Sequence, residues 1–304
     1  MFVVKYRKLF FVLSAALVII SIVAMFKPGF NFGIDFKGGT ITEVSYQNRP
    51  AQQDMKAAID HLNLGEYTLQ PSGDTNYIIR TRELSSTEKE TFLNTLSFGG
   101  KAPANLIRYN SVGPTVGNEL RKKSYLAITL VVICIVLFVT FAFRKVSQPV
   151  ASWKFGLATI IALCHDVIIP TGAYILISKF YTGGQIDVLF VSAILAILGY
   201  SVHDTIVVFD RVREHLRINR ENRSKEDFET TVGKSVSETF GRSINTSLTI
   251  FLVLLVLYLI GGEATRNFSL VLLIGIIVGT YSSIFVASPL LITFEKMQAK
   301  REAK

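Results

Sequence analysis

The chain has 304 residues, half of them hydrophobic and only 18% charged, with a mean hydropathy of +0.41 and a net charge of +9. Soluble domains carry about 25% charged residues, and here the apolar excess falls in long uninterrupted runs. A purely soluble, a disordered or a collagen-like chain is excluded. The two cysteines, Cys134 and Cys164, both sit inside apolar runs, so no extramembrane disulfide reports a redox compartment.

The first run, residues 9–26, follows Lys5, Arg7 and Lys8. It is longer than the ~7–15 apolar residues of a signal peptide and no small-residue cleavage site follows it, so it predicts an uncleaved anchor. Residues 27–124 change character. Residues 41–46 alternate like a strand, and 52–62 follow at helical spacing with apolar Met55, Ile59 and Leu62. Short strands are predicted at 67–70 and 77–81, separated by the turn residues Pro71-Ser72-Gly73-Asp74. A helix is predicted over 86–96, with Ser85 and Glu88 spaced as a capping box, and 106–112 closes as a strand. The order β-α-β-β-α-β is that of a ferredoxin-like split βαβ unit.

Five further runs, 125–143, 156–177, 188–209, 244–260 and 268–292, are each long enough to cross a bilayer. The fold class expected is an α-helical polytopic membrane protein, with six transmembrane helices and one ferredoxin-like α+β extracytoplasmic domain between the first and second. Lys and Arg near the span ends set orientation. Eighteen fall on the side holding the N-terminus 1–8, the second–third loop, the fourth–fifth loop and the tail 293–304; the opposite short loops hold only Lys179 and Arg266. Both termini are thereby predicted to be cytosolic and residues 27–124 extracytoplasmic. The positive charge reads as a topology signal with anionic-lipid contacts, not as a nucleic-acid footprint.

Ionisable residues inside spans are costly and usually face the bundle interior. In the third span, His165-Asp166 stands four residues before Pro170, which cannot donate to the carbonyl of Asp166. This predicts a loosened backbone beside a transport path, with Asp166 a further proton-relay candidate, or a kink made for packing. In the fourth span, Asp204 ends a stripe with Ser192, Ala196 and Tyr200, either handling protons or satisfied structurally by hydroxyls. Its neighbour His203 lies about 100° round the helix, as a packing residue or a relay. Residues 210–243 read as a cytosolic loop, in which Phe228, Val232, Val236 and Phe240 recur by four as an amphipathic surface helix.

Arg242 opens the fifth span with Asn245, Thr246 and Thr249 on its face, either reaching Asp204 by snorkelling or acting as a positive anchor. Gly275, Gly279, Ser283 and Ala287 form a small-residue seam on the sixth span, where backbones can approach closely. No nucleophile elbow or phosphate loop occurs, and Gly38-Gly39 lacks the following Lys-Ser/Thr of one. His61, His165, His203 and His215 show no metal-ligand spacing. A chemical enzyme, a metal site and an organic cofactor are not expected.

Residues 32–40, Phe-Gly-Ile-Asp-Phe-Lys-Gly-Gly-Thr, with Gly33, Asp35, Gly38 and Gly39, resemble the signature opening the extracytoplasmic domain of the SecD/SecF family. Residues 199–214, beginning Gly-Tyr-Ser-Val-His-Asp-Thr, are similar to that family's fourth-span motif, though the family usually has Asn where His203 stands. His165-Asp166 and the run 242–247, Arg-Ser-Ile-Asn-Thr-Ser, add two matches in the same order, and the likeness covers the whole chain. The resemblance implies a subunit of the bacterial protein-translocation machinery in the cytoplasmic (inner) membrane. It implies SecD as obligate half-partner, the SecYEG channel, YajC, YidC and preproteins as further partners, and protons as the coupling ion. It carries the family's functional aspartate and arginine onto Asp204 and Arg242. Two rivals are a non-transducing assembly subunit held by the sixth-span seam and half of a proton-coupled small-molecule exporter.

Overall fold

The computed structural model describes residues 2–27, 29–144, 150–182 and 184–302; Lys145 and Lys304 of the basic count lie outside them. The chain forms two compact units, Met1–Asn31 with Leu126–Lys304, and Phe32–Tyr125.

The smaller unit is a four-stranded antiparallel sheet of β1 (Gly39–Ser45), β2 (Thr68–Ser72), β3 (Asn76–Thr81) and β4 (Asn105–Val112), in the order β2-β3-β1-β4. Helices Gln52–Asp60 and Ser86–Leu96 connect them in the ferredoxin-like arrangement. Alternate residues of β1 and β3 point to the helices, so Val44, Tyr77 and Ile79 bury against Met55, Ile59, Phe92 and Leu96. The Tyr46 hydroxyl donates to the Leu96 carbonyl at 3.0 Å. The capping box is formed in both directions: the Ser85 hydroxyl accepts from the Glu88 amide and the Glu88 carboxylate from the Ser85 amide.

Two expectations in this unit need correction. Pro71 and Ser72 lie in β2, and the turn begins only at Gly73. β2 is an edge strand, where the missing proline donor leaves no ladder bond unmade. The first helix stops at Asp60, short of Leu62.

Among the described residues six helices have spanning length and composition: Arg7–Phe26, Pro114–Ala142, Ser152–Phe180, Val188–Glu221, Phe228–Ile260 and Thr265–Lys300. Helix Ser152–Ile177 runs unbroken through Pro170. The first span crosses the third closely, because a Cβ on Gly172 would overlap Ser21. Phe143, Phe155 and Phe209 make a buried aromatic cluster, with centroids 5.2–5.8 Å apart, that joins the ends of the second, third and fourth spans.

Residues 210–243 are not a loop with a surface helix. The fourth helix continues to Glu221 and the fifth begins at Phe228, so the two spans are prolonged past the bilayer and joined by a short turn. At 1.5 Å per residue the 34-residue fourth helix is about 51 Å long, against a ~30 Å hydrocarbon core. Phe228, Val232 and Val236 bury within the protein and only Phe240 stays exposed, so the apolar stripe packs on its own chain instead of on lipid. Glu238 pairs with Arg211 and with His215 (3.0 Å), and the Asn219 amide donates to Thr231 (3.1 Å). Glu229 ties Arg7 (2.6 Å) and Lys296 together, closing the same end.

Candidate functional site

Two buried carboxylates organise the membrane unit, and the fourth span touches both. Asp166 on the third span is fully buried. Its Oδ1 faces Nδ1 of His165 at 2.9 Å, and its Oδ2 accepts from the hydroxyls of Ser201 on the fourth span and Ser282 on the sixth, the latter at 2.7 Å. Three helices therefore meet on one side chain, each bond satisfying a polar group that lipid could not.

Asp204 lies one turn beyond Ser201 and is 2% exposed. Its Oδ2 has no hydrogen-bond partner among the described residues, and neither does the nearby Ser243 hydroxyl. His203 and Arg242 act on its charge, and Ser243 and Ser247 of the fifth span are the hydroxyls beside it. Ser247 continues the network, with its Oγ 2.8 Å from the Tyr200 hydroxyl and 2.6 Å from Thr280 Oγ1 on the sixth span. The stripe preceding Asp204 divides: Tyr200 is half-buried, whereas Ala196 and Ser192 are exposed.

Arg242 is exposed and makes no ion pair with Asp204 among the described residues. Asn245 and Thr249 share its outward face, and the exposed His203 lies on the adjacent fourth span. The buried face of the fifth span is instead carried by Ser243 and Ser247. These two, with Ser201, Thr205, Thr280 and Ser282, line the candidate site and were not singled out from the sequence. Nothing in the sequence sets them apart from the other serines and threonines of the apolar runs.

The sixth-span seam is occupied from within the chain. A Cβ on Gly275 would overlap Ile197, one on Gly279 would lie 3.0 Å from the Ser201 Cβ, and Ser283 Oγ sits 2.8 Å from Thr205 Oγ1. Ala287 is fully buried at the end of a π-helical turn, Ser283–Ala287. The seam packs on the fourth span of the same molecule, so it offers no surface to hold another subunit. π-helical turns recur at functional sites, and this one follows directly on Ser282.

In the smaller unit, Gly33 precedes the short helix Ile34–Lys37, with Asp35 in its first turn. Gly38 and Gly39 have φ of +80° and +133°. Added Cβ atoms would sit 2.9 Å from the Pro114 backbone and 2.6 Å from the Thr81 carbonyl oxygen. The pair serves tight backbone packing that only glycine permits. No group of three or more His, Cys, Asp or Glu side chains suited to a metal occurs among the described residues.

Comparison with known proteins gives a consistent result. Residues 94–297 match the model of the family described as protein export membrane protein SecD/SecF, C-terminal, and residues 23–48 match the SecD/SecF GG motif. Protein translocase subunit SecF of Thermobaculum terrenum is 39% identical, covering 96% of this chain and 93% of that protein. Its counterpart from Anaerolinea thermophila is 34% identical, covering 95% and 92%. The crystal structure of SecDF, a translocon-associated membrane protein from Thermus thermophilus, superposes with a TM-score of 0.83 at 29% identity. That match covers 96% of this chain but only 38% of the solved one.

Proposed function

The chain belongs to the SecD/SecF family of protein export membrane proteins, and on that premise we propose that it is the smaller half of a proton-driven translocation accessory. In this reading its partner is a SecD-type half, and the pair works beside a SecYEG-type channel on preproteins emerging from the cytoplasmic membrane. YajC and YidC are further candidate partners. The termini face the cytosol, residues 27–124 lie outside, and protons are the coupling ion with no organic cofactor.

The observation that carries the reading is the carboxylate of Asp204, buried in a membrane span with one oxygen left without a hydrogen bond. An unsatisfied carboxylate oxygen there is costly, and a proton relieves that cost by neutralising the group. Arg242, Asn245, Thr249 and His203 support the partner half, because they form a polar strip facing away from this chain. Lipid would solvate such a strip poorly, whereas a second bundle with complementary polar groups would cover it. Protonation of Asp204 weakens its attraction for Arg242 and shifts the balance between two packings of the halves. One proton moving down the membrane potential supplies ~2.3 kcal/mol per 100 mV to that shift. The small-molecule exporter reading has no structural observation in its favour, and the internal closure of the sixth-span seam removes the main support of the scaffold reading.

The test is preprotein uptake into inverted membrane vesicles holding the chain with its SecD-type partner, wild type or Asp204→Asn, with and without a proton gradient. The expected result is loss of only the gradient-stimulated part in the variant. Full retention of that part with normal assembly would refute the proton-driven reading.

A further inference from the structure

Asp166 and His165 form a second polar centre that the mechanism above does not use. Asp166 is wholly buried and accepts three bonds: from His165 on its own helix, Ser201 on the fourth and Ser282 on the sixth. With Asp166 ionised its Oδ1 can only accept, so Nδ1 of His165 carries the hydrogen and Nε2 is left as a bare lone pair. His165 is 5% exposed, and its Nε2 has no hydrogen-bond partner among the described residues. The ring is held against Tyr281 of the sixth span, with centroids 6.0 Å apart at 17°. The Tyr281 hydroxyl is engaged elsewhere, donating to the Phe10 carbonyl at 3.0 Å and lying 3.3 Å from Ser14 Oγ on the first span.

We propose that Nε2 of His165 is a second proton-binding site of the membrane unit, with Asp166 as its built-in counter-ion. A proton arriving from hydronium forms the Nε2–H bond and leaves water behind. The product is an imidazolium held 2.9 Å from a carboxylate whose other oxygen is already satisfied, so the loaded centre is neutral as a whole. The groups facing it are few. The sixth span contributes the Tyr281 phenol and the Ser282 hydroxyl, the fourth contributes Ser201, and the first has no charged residue between 9 and 26. Asp204, on the contacting fourth span, is the other buried carboxylate among the described residues, and its surrounding hydroxyls, Ser243 and Ser247, belong to the fifth span. The two centres thus share the fourth and sixth spans and differ in the third and the fifth. A role for His165 in transport rests on the proton-driven reading above; its proton binding does not.

The experiment is a nitrogen NMR titration of the full chain with its partner half in nanodiscs, using labelled histidine. The His165 signals are assigned by comparison with His165→Gln. The expected result is one histidine that keeps Nδ1–H throughout and gains a proton at Nε2 as pH falls. Asp166→Asn should displace that midpoint, because it removes the opposite charge beside the ring. Asp204→Asn should leave it in place even if gradient-driven uptake is lost, which separates this claim from the previous one. An Nε2 that stays unprotonated down to the pH at which the wild-type chain unfolds overturns the proposal, with no variant required. A midpoint unmoved by Asp166→Asn overturns the counter-ion assignment. Should that variant fail to fold, Ser282→Ala supplies the comparison: weakened support of the carboxylate must move the midpoint, and an unmoved one again counts against it.

Discussion

The Ser282 hydroxyl donates to Oδ2 of Asp166 at 2.7 Å, joining the sixth span to the third at a fully buried carboxylate. Ser201 donates to the same oxygen from the fourth span. The three helices share one acceptor, so their positions are coupled.

Ser282→Ala and Ser201→Ala should each destabilise the membrane unit by about 0.6 kcal/mol and by no more than about 1.7 kcal/mol, the average and the maximum found for such bonds between membrane helices. The double variant should cost more than the sum, because it leaves Oδ2 with no donor in a low-dielectric interior. Unfolding of the purified chain in mixed micelles measures both. Strict additivity would mean that the hydroxyls act independently.

Gly275→Val places methyl groups where Ile197 already lies. Overpacking of this kind costs about 1–3 kcal/mol, and here it must separate the fourth and sixth spans. Thermal unfolding should show the loss, and cross-linking between the two helices should weaken. Gly241→Ala, with nothing within 4 Å of the added carbon, is the control and should be neutral or slightly stabilising.

Gly39→Ala meets both a φ of +133° and the Thr81 carbonyl 2.6 Å from the new carbon. Strain of about 1–3 kcal/mol should appear as faster hydrogen exchange in β1 and β3 of the intact chain, with the membrane helices unchanged. Gly65→Ala, also left-handed but with open space around it, should show the backbone strain without the clash and so a smaller effect.

The Arg82 guanidinium, together with the Ser85 amide and hydroxyl, pulls the Glu88 carboxyl down to about 2. Its unfolded value is about 4.3. A group depressed on folding contributes stability that is complete above the unfolded value and fades as pH falls through the folded one. Protection of helix Ser86–Leu96, corrected for intrinsic exchange, should therefore decline between about pH 4.3 and pH 2. In Glu88→Gln that decline should vanish, leaving protection lower but flat over this interval.

Hydropathy located the six spans because a bilayer core demands uninterrupted apolar length, and every helix of spanning length covers one of the six runs. It could not locate helix ends. The charged residues that mark exit from lipid between Asp210 and Glu221 are compatible with more helix, and this one continues. The strand order of the smaller unit was legible from alternation and turn residues, except at Pro71, where a turn former serves an edge strand. The same limit applied at the site. Asp204 and Asp166 stood out because carboxylates are rare in spans, but serines are common there, and nothing in Ser201, Ser243 or Ser282 distinguishes a donor from a spacer. For Arg242 the sequence left two readings open, reaching Asp204 or anchoring the span; its side chain is exposed, and that depends on helix rotation set by packing with neighbours.

The contacts of the first span carry a consequence for biogenesis. Glu229 follows Arg7 by 222 positions, and Tyr281, which donates to the Phe10 carbonyl, follows it by 271. On a ribosome adding residues from the N-terminus, the first helix enters the bilayer long before either partner exists. Its Ser14 and Ser21, both buried in the finished bundle, meet only lipid or an attendant factor during that interval. A nascent chain arrested before the sixth helix should leave the first one laterally mobile and open to photocrosslinking from Ser14, and completion of the last helix should extinguish that signal.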